Sequence, residues 1–360
     1  MKRGAEKAAR VLLGVLFFAA LAALMYVCFF GGGMAAAIVL IVSYAVSLFL
    51  MPALHEAGHL LFGALAGFRF LEVRFSFLQI SRDGEKISVR FVNPLQTETA
   101  GHCRMYPAKI EGMGARFTLF VAGGVLAQAA YLIVCLPVCF ALGNAFLWAT
   151  LGGSCVYCAY LFCLNLLPLA GEEGEFDGAL LWGLLRRDPS ARTAVALLTL
   201  QGQFFEGRTP GEAEKELLFD LPQIPEDDPN FSRLQYYRYL YFLDRGEKEQ
   251  AAKSVLRLAD CLEYILPDDL LSILAELTYT CAFLVRDKQE AERYHARMER
   301  AGGGNKAADV LRAWLAYALL IGDGAQAVSF AAEYKNAIAR TPLAGMRRLE
   351  EKLYAELYGG

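Results

Sequence analysis

No lysine, arginine, aspartate or glutamate occurs between Val11 and Leu54, and none between Phe117 and Gly171. Uncharged runs of that length exclude ordinary water-facing helices, and each is long enough to cross a bilayer twice. No block of basic residues is present, so nucleic acid is not an expected partner. A cleavable signal is also missing: the basic tail Met1–Arg10 is followed by apolar residues with no clear small-x-small cleavage site before a second apolar run. Cysteine is not scarce, but six of the nine (Cys28, Cys135, Cys139, Cys155, Cys158 and Cys163) lie in apolar runs, where a thiol behaves as a small hydrophobe. Cys155-x-x-Cys158 lacks a second pair, which ranks a redox or metal role low. Cys103, Cys261 and Cys281 fall in segments assigned to the cytoplasm, where disulfides are not expected.

What charge there is divides unevenly. Residues 1–187 hold 14 Lys/Arg and 11 Asp/Glu, whereas residues 188–360 hold 21 and 27. A membrane domain followed by a water-soluble one accounts for that shift. Val11–Phe30 reads as the first span, Gly31-Gly32-Gly33 as a turn, and Met34 to about Phe62 as the second, with Pro52 a kink. Pro137 and Gly143-Asn144 divide the later run into spans at about 116–141 and 146–167. Both external turns lack charge, and the basic N-terminal tail and the basic loop 68–116 share the opposite side. Four crossings place both termini in the cytoplasm.

Between the pairs of spans, Phe70–Ile80 and Ile87–Val92 alternate around Asp83-Gly84, a β-hairpin signal in the 68–116 loop. Residues 188–230 read as a helical linker, proline-rich at its end. From 231 to 360, three helical pairs turn at Arg245-Gly246, Arg286-Asp287 and Gly322-Asp323, with Ala251, Ala291 and Ala327 at matching places. That pattern is similar to tetratricopeptide-type hairpins, with an irregular α-bundle as the rival reading. The expected fold class is mainly α: a polytopic membrane domain of about four spans with a cytoplasmic β-hairpin insertion, then a soluble helical domain.

His55-Glu56-Ala57-Gly58-His59 closes the first uncharged run. On a helix, residues four apart share a face, so both imidazoles can reach one ion with Glu56 beside it. This is the spacing of a zinc site whose glutamate is the general base toward water. By chance the pattern also decorates solvated helix faces. Here the flanks Leu54 and Leu60-Leu61-Phe62 are apolar, and three buried polar groups without a role would be expensive. His102 and Cys103 have no other ligands at proper spacing and read as structural or regulatory; His295 reads as a solvated helix residue.

With these residues in view, the chain resembles the site-2 protease family of intramembrane zinc metalloproteases over roughly residues 34–187. The resemblance rests on His55-Glu56-Ala57-Gly58-His59, on Gly123-Gly124-Val125-Leu126-Ala127-Gln128, and on Asn165-Leu166-Leu167-Pro168 followed by Asp177-Gly178. The gap before Asp177 is longer than the family's, and Gln128 stands where asparagine is commoner. The resemblance implies one zinc ion held by His55, His59 and Asp177, with Glu172, Glu173 and Glu175 as rival third ligands. It also implies Glu56 as the proton carrier and Asn165 as a substrate or oxyanion ligand, for which a plain helix-end role is equally open. Its substrate would be a membrane-spanning or signal-peptide-like protein cut near the cytoplasmic face of a bacterial cytoplasmic membrane. The edge of the hairpin would pair with an unwound substrate segment, and the helical domain would take a protein partner. A membrane-anchored scaffold with an inactive protease half is the alternative, and intact Glu56, His55 and His59 speak against it. A transporter is weaker still, because no further charges line the spans.

Overall fold

The first uncharged run forms one helical element, α1 (Arg3–Leu65), that doubles back on itself. Gly33 has φ 68° and ψ −163°, a non-helical conformation open to a residue without a Cβ. The rings of Phe17 and Tyr44 lie 6.4 Å apart, where a straight helix would hold them about 40 Å apart. Leu24 and Cys28 on one arm pack with Ala36 and Leu40 on the other. The second arm stays helical through Pro52 and carries the His-Glu-x-x-His sequence near its end.

This computed structural model describes residues 3–83, 86–93, 101–169, 176–302 and 304–358. The chain separates into two units, Met1–Asp188 and Pro189–Gly360. In the first unit α1 is joined by α2 (Met113–Leu142), the short α3 (Ala145–Leu147), α4 (Gly153–Leu166), which continues α3 through a π-turn at Trp148–Gly152, and α5 (Asp177–Arg186). Three stretches, Gly4–Leu65, Met113–Leu142 and Ala145–Leu166, are long and apolar enough to cross a membrane. Their outward side chains, among them Phe18, Ile41, Ile133 and Phe140, are exposed. Apolar side chains on every face suit a lipid surround.

The basic loop forms more than a hairpin. β1 (Phe68–Phe75), β2 (Leu78–Asp83), β3 (Lys86–Phe91) and β4 (Gly101–Pro107) make an antiparallel sheet in the order β3-β2-β1-β4. The expected strand Phe70–Ile80 is broken at Ser76, whose φ of 54° turns the chain, and Phe75 then pairs with Leu78. β4, absent from the sequence reading, pairs with the other edge of β1: Val73 opposes Cys103 and Phe75 opposes Gly101. The β1–β2 tip leans on the second arm of α1, with Phe77 and Phe49 ring centroids 5.9 Å apart. Phe49 precedes His55 by six residues, so the tip lies beside the uncharged run.

The second unit begins with α6 (Pro189–Phe205) and α7 (Glu216–Phe219). Residues 188–230 therefore do not form a free linker: Leu197, Leu200, Phe204 and Leu218 share a core with Leu234 and Tyr241. Hairpins follow, α8 (Pro229–Asp244) with α9 (Lys248–Ala259), α10 (Pro267–Tyr279) with α11 (Lys288–Gly302), and α12 (Ala308–Ile321) with α13 (Gly324–Ile338), then α14 (Ala344–Tyr358). A left-handed residue sits at each hairpin turn: Gly246 (φ 73°), Arg286 (φ 61°) and Gly322 (φ 80°). Ala251, Ala291 and Ala327 are buried, as close helix packing requires. His295 is not freely solvated; its ring stacks on Tyr317 at 4.1 Å, and burial lowers its pKa.

Candidate metal centre

Glycine sets the position of the centre. The second arm of α1 meets α2 at Gly58 and Gly123, where a Cβ on Gly58 would stand 2.7 Å from the Ala127 Cβ and one on Gly123 would stand 2.7 Å from the Gly58 carbonyl oxygen. Two such glycines let helix backbones approach where larger residues would hold them apart. Under His55 the fit is equally tight: a Cβ on Gly124 would lie 2.5 Å from Nδ1 and 2.6 Å from Nε2. The imidazole thus rests on bare α2 backbone. At the start of α5, Gly178 packs on the chain at Leu166 and Leu167, with a Cβ there only 2.6 Å from the Leu166 carbonyl carbon. That contact seats Asp177, the first residue of α5.

Three ligand atoms converge. His55 Nε2 lies 2.8 Å and His59 Nε2 2.9 Å from Asp177 Oδ2, and the two Nε2 atoms are 3.0 Å apart. Among the described residues this is the one group of three histidine, cysteine or acidic side chains arranged to hold an ion. Glu172, Glu173 and Glu175 lie outside the described residues, so their rivalry with Asp177 is not addressed. Both histidines are buried.

The tautomer at His59 follows from its neighbour. His59 Nδ1 is 2.9 Å from the Phe120 carbonyl oxygen, which can only accept, so Nδ1 carries the hydrogen. Neutral His59 then directs an Nε2 lone pair at Asp177 Oδ2 and at His55 Nε2. Donor atoms that close repel unless a proton or a cation lies among them. Burial alone would raise the Asp177 pKa, but the two imidazoles packed against it hold it below the usual carboxylate range. Around a tetrahedral zinc at about 2.0–2.1 Å, ligand atoms stand about 3.3 Å apart, so the group needs to open by only a few tenths of an ångström. The donor set, two imidazoles and one carboxylate with a fourth position for water, suits that ion.

Glu56 is buried, and Arg74, Asp177 and both histidines are its ionisable neighbours. β4 lies over it: a Cβ on Gly101 would stand 2.9 Å from Glu56 Oε1. Cys103, on the same face of β4, has its thiol pushed up to about 12 by burial, with the Glu56 charge adding to the effect. His102 points to the opposite face and pairs with Glu72 at 2.6 Å. The structure thus separates His102 and Cys103 from the ligand group. Asn165 donates to the Leu161 carbonyl at 3.0 Å within α4.

Sequence reasoning missed the nearness of β4 and Arg74 to Glu56. The signal for β4 was present in Gly101–Tyr106, where His102, Arg104 and Tyr106 alternate with Cys103 and Met105. The nine cysteines are free, and Cys158 Sγ lies 3.7 Å from the Gln128 carbonyl oxygen. Comparison with known proteins finds no matching family model, no matching curated protein and no matching solved structure.

Proposed function

We propose that this chain is an intramembrane zinc metalloendopeptidase that crosses the membrane four times and hydrolyses a membrane-inserted protein near the cytoplasmic face. The observation that carries the reading is the meeting of His55, His59 and Asp177, which are 118 or more residues apart across the His–Asp pairs. The two arms of α1 count as two crossings, with α2 and the α3–α4 rod as the others. The site-2 protease resemblance of the motifs supports the same assignment, and the hairpins of the second unit support a tetratricopeptide-like partner-binding role.

His55, His59 and Asp177 would hold the ion. Zinc, when bound, supplies a Lewis acid for the scissile carbonyl and makes water a better nucleophile at neutral pH. Glu56 takes a proton from the attacking water and returns it to the leaving nitrogen, so one carboxylate serves both halves of the hydrolysis. A substrate helix has its carbonyls tied up in backbone hydrogen bonds and must unwind before attack. β4 is an edge of the sheet and lies against Glu56. An extended substrate segment paired along β4 would deliver its backbone to the general base. Asn165 takes part only if its bond to Leu161 is given up for the substrate.

Glu56→Gln tests the reading directly. Full-length protein carrying it should retain one zinc per chain and lose cleavage, and membranes from cells expressing it should accumulate a full-length substrate absent with wild type. Persistent zinc-dependent cleavage by Glu56→Gln removes Glu56 from its role. Unchanged cell behaviour with that variant, together with loss of function on altering the helical hairpins, would favour the scaffold instead.

A further inference from the structure

The two histidines of the centre are not equally supported. His59 has its distal nitrogen anchored on the Phe120 carbonyl. His55 Nδ1 is buried and has no hydrogen-bond partner. Histidines that bind metals through one nitrogen almost always donate from the other, which fixes the ring and raises its basicity. An unsupported His55 would have neither its tautomer fixed nor its basicity raised, and would be a poorer ligand.

A second orphan stands one turn away. Gln128 is 0 % exposed, and neither its amide oxygen nor its amide nitrogen has a partner. Leaving both ends of a carboxamide unbonded in a dry core forfeits hydrogen bonds that water would otherwise supply. Contacts of His59 with Phe120, Gly58 with Gly123 and His55 with Gly124 show that α2 runs antiparallel to the second arm of α1. Gln128 follows Gly124 by four residues, on the same buried stripe as Phe117, Val121, Gly124 and Val125. It therefore lies about 6 Å past Gly124, level with the α1 turn that ends in His55. Its backbone carbonyl already faces Cys158 on α4, so the residue sits among the three helices.

The geometry points to Gln128 as the positioning residue for His55: a change of its side-chain rotamer lets the amide oxygen accept the Nδ1–H. The pair satisfies two buried groups at once, fixes the tautomer that leaves Nε2 free for the ion, and gives His55 the support that Phe120 gives His59. This inference rests on the zinc reading above. It assigns Gln128 no contact with substrate and no part in proton transfer.

The test uses full-length protein in detergent, carrying Gln128→Met, close in shape but with only a weakly accepting sulfur, or Gln128→Glu, which keeps an acceptor oxygen. Zinc affinity is measured by competition with a chelator, and Co2+ substitution gives a visible spectrum that reports ligand geometry. The expected result is a 10–100-fold loss of zinc affinity and a shifted Co2+ band for Gln128→Met, with Gln128→Glu restoring both towards wild type. Wild-type affinity and an unchanged Co2+ band in Gln128→Met overturn the inference while leaving the centre intact. Equal weakening in both variants reduces Gln128 to a packing residue and also overturns it. A wild-type protein that takes up neither metal overturns the zinc reading and the inference together.

Discussion

At the scale of single residues, the centre depends on side chains that are absent. His55 lies against the Cα of Gly124, and a Cβ there would stand 2.5 Å from Nδ1, nearer than atoms can pack. The Gly124→Ala change should displace the imidazole, lower zinc content and slow cleavage at least tenfold, and overpacking should destabilise the helix pair by about 1–3 kcal/mol. Metal analysis of the purified variant checks this, and full zinc occupancy would count against the placement of the ring. Asp177→Asn should be more severe for the metal and milder for the fold. It keeps the shape but removes the charge that offsets two imidazoles, so zinc affinity should fall while the melting temperature of the metal-free protein changes little.

Elements carry a different set of consequences, most of them in the second unit. Arg312 is fully buried on α12, 2.7 Å from Glu276 of α10 and 3.1 Å from Glu350 of α14. Tyr239 of α8 donates to Glu276 at 2.9 Å, and Tyr334 of α13 donates to Glu350 at 2.5 Å. One guanidinium thus ties together helices from successive hairpins. Arg312→Met leaves two buried carboxylates without their cation and should cost about 3–5 kcal/mol, read as a fall in thermal midpoint. Burial raises the Glu276 pKa to about 7, against the opposing pull of Arg312. A carboxyl whose folded pKa exceeds its unfolded value stabilises most when protonated. Its contribution is full below about pH 4.5 and is lost as pH rises through about 7. Amide exchange across α10 and α12 should accelerate over that window in wild type, beyond its intrinsic pH dependence, and less so in Glu276→Gln. Arg286 sits left-handed where the other two hairpins use glycine, so Arg286→Gly should gain about 1 kcal/mol.

Which parts of these elements the sequence disclosed depended on the range of the physics involved. The missing charges located the apolar runs, and the i, i+4 spacing put His55 and His59 on one helix face, because both are local effects. The sheet was half legible. Alternation marked strands on either side of Asp83, but Ser76 breaks the first of them through a left-handed turn, and serine is not the residue that usually advertises one. β4 is marked in the sequence only by the alternation of His102 and Arg104 with Cys103 and Met105, a run too short to separate a strand from a loop. Residues 188–230 looked like a linker since prolines ended the segment, yet Leu197, Leu200 and Phe204 pack with Leu234. That burial joins residues far apart in sequence, which no window of ten or twenty residues can display. Asp177 could be named only through its Asp-Gly motif; its distance from His59 is a product of how α5 docks.

For the whole molecule, the proposed four crossings fix which segments face which side. Cysteine introduced at Asn144, in an otherwise cysteine-free variant, should react with an impermeant maleimide from outside intact cells, and cysteine at Arg82 should not. Labelling of both positions from the same side would exclude the topology. The two units also differ in what surrounds them: long helices with exposed apolar faces belong to Met1–Asp188, whereas Pro189–Gly360 has scattered apolar exposure. Detergent removal should aggregate the full chain through the first unit.

The order of the ligands along the chain has one more effect, in time. A ribosome releases His55 and His59 early, and Asp177 follows His59 by 118 residues. At about 5–20 residues per second, roughly 6–24 s separate the two events. During that interval the nascent polypeptide holds two of the three converging ligands, and under the proposed function it cannot yet cut its neighbours in the insertion machinery. On the proposed reading, the protease is armed only when α5 has been made and has docked, so synthesis itself acts as the safety catch.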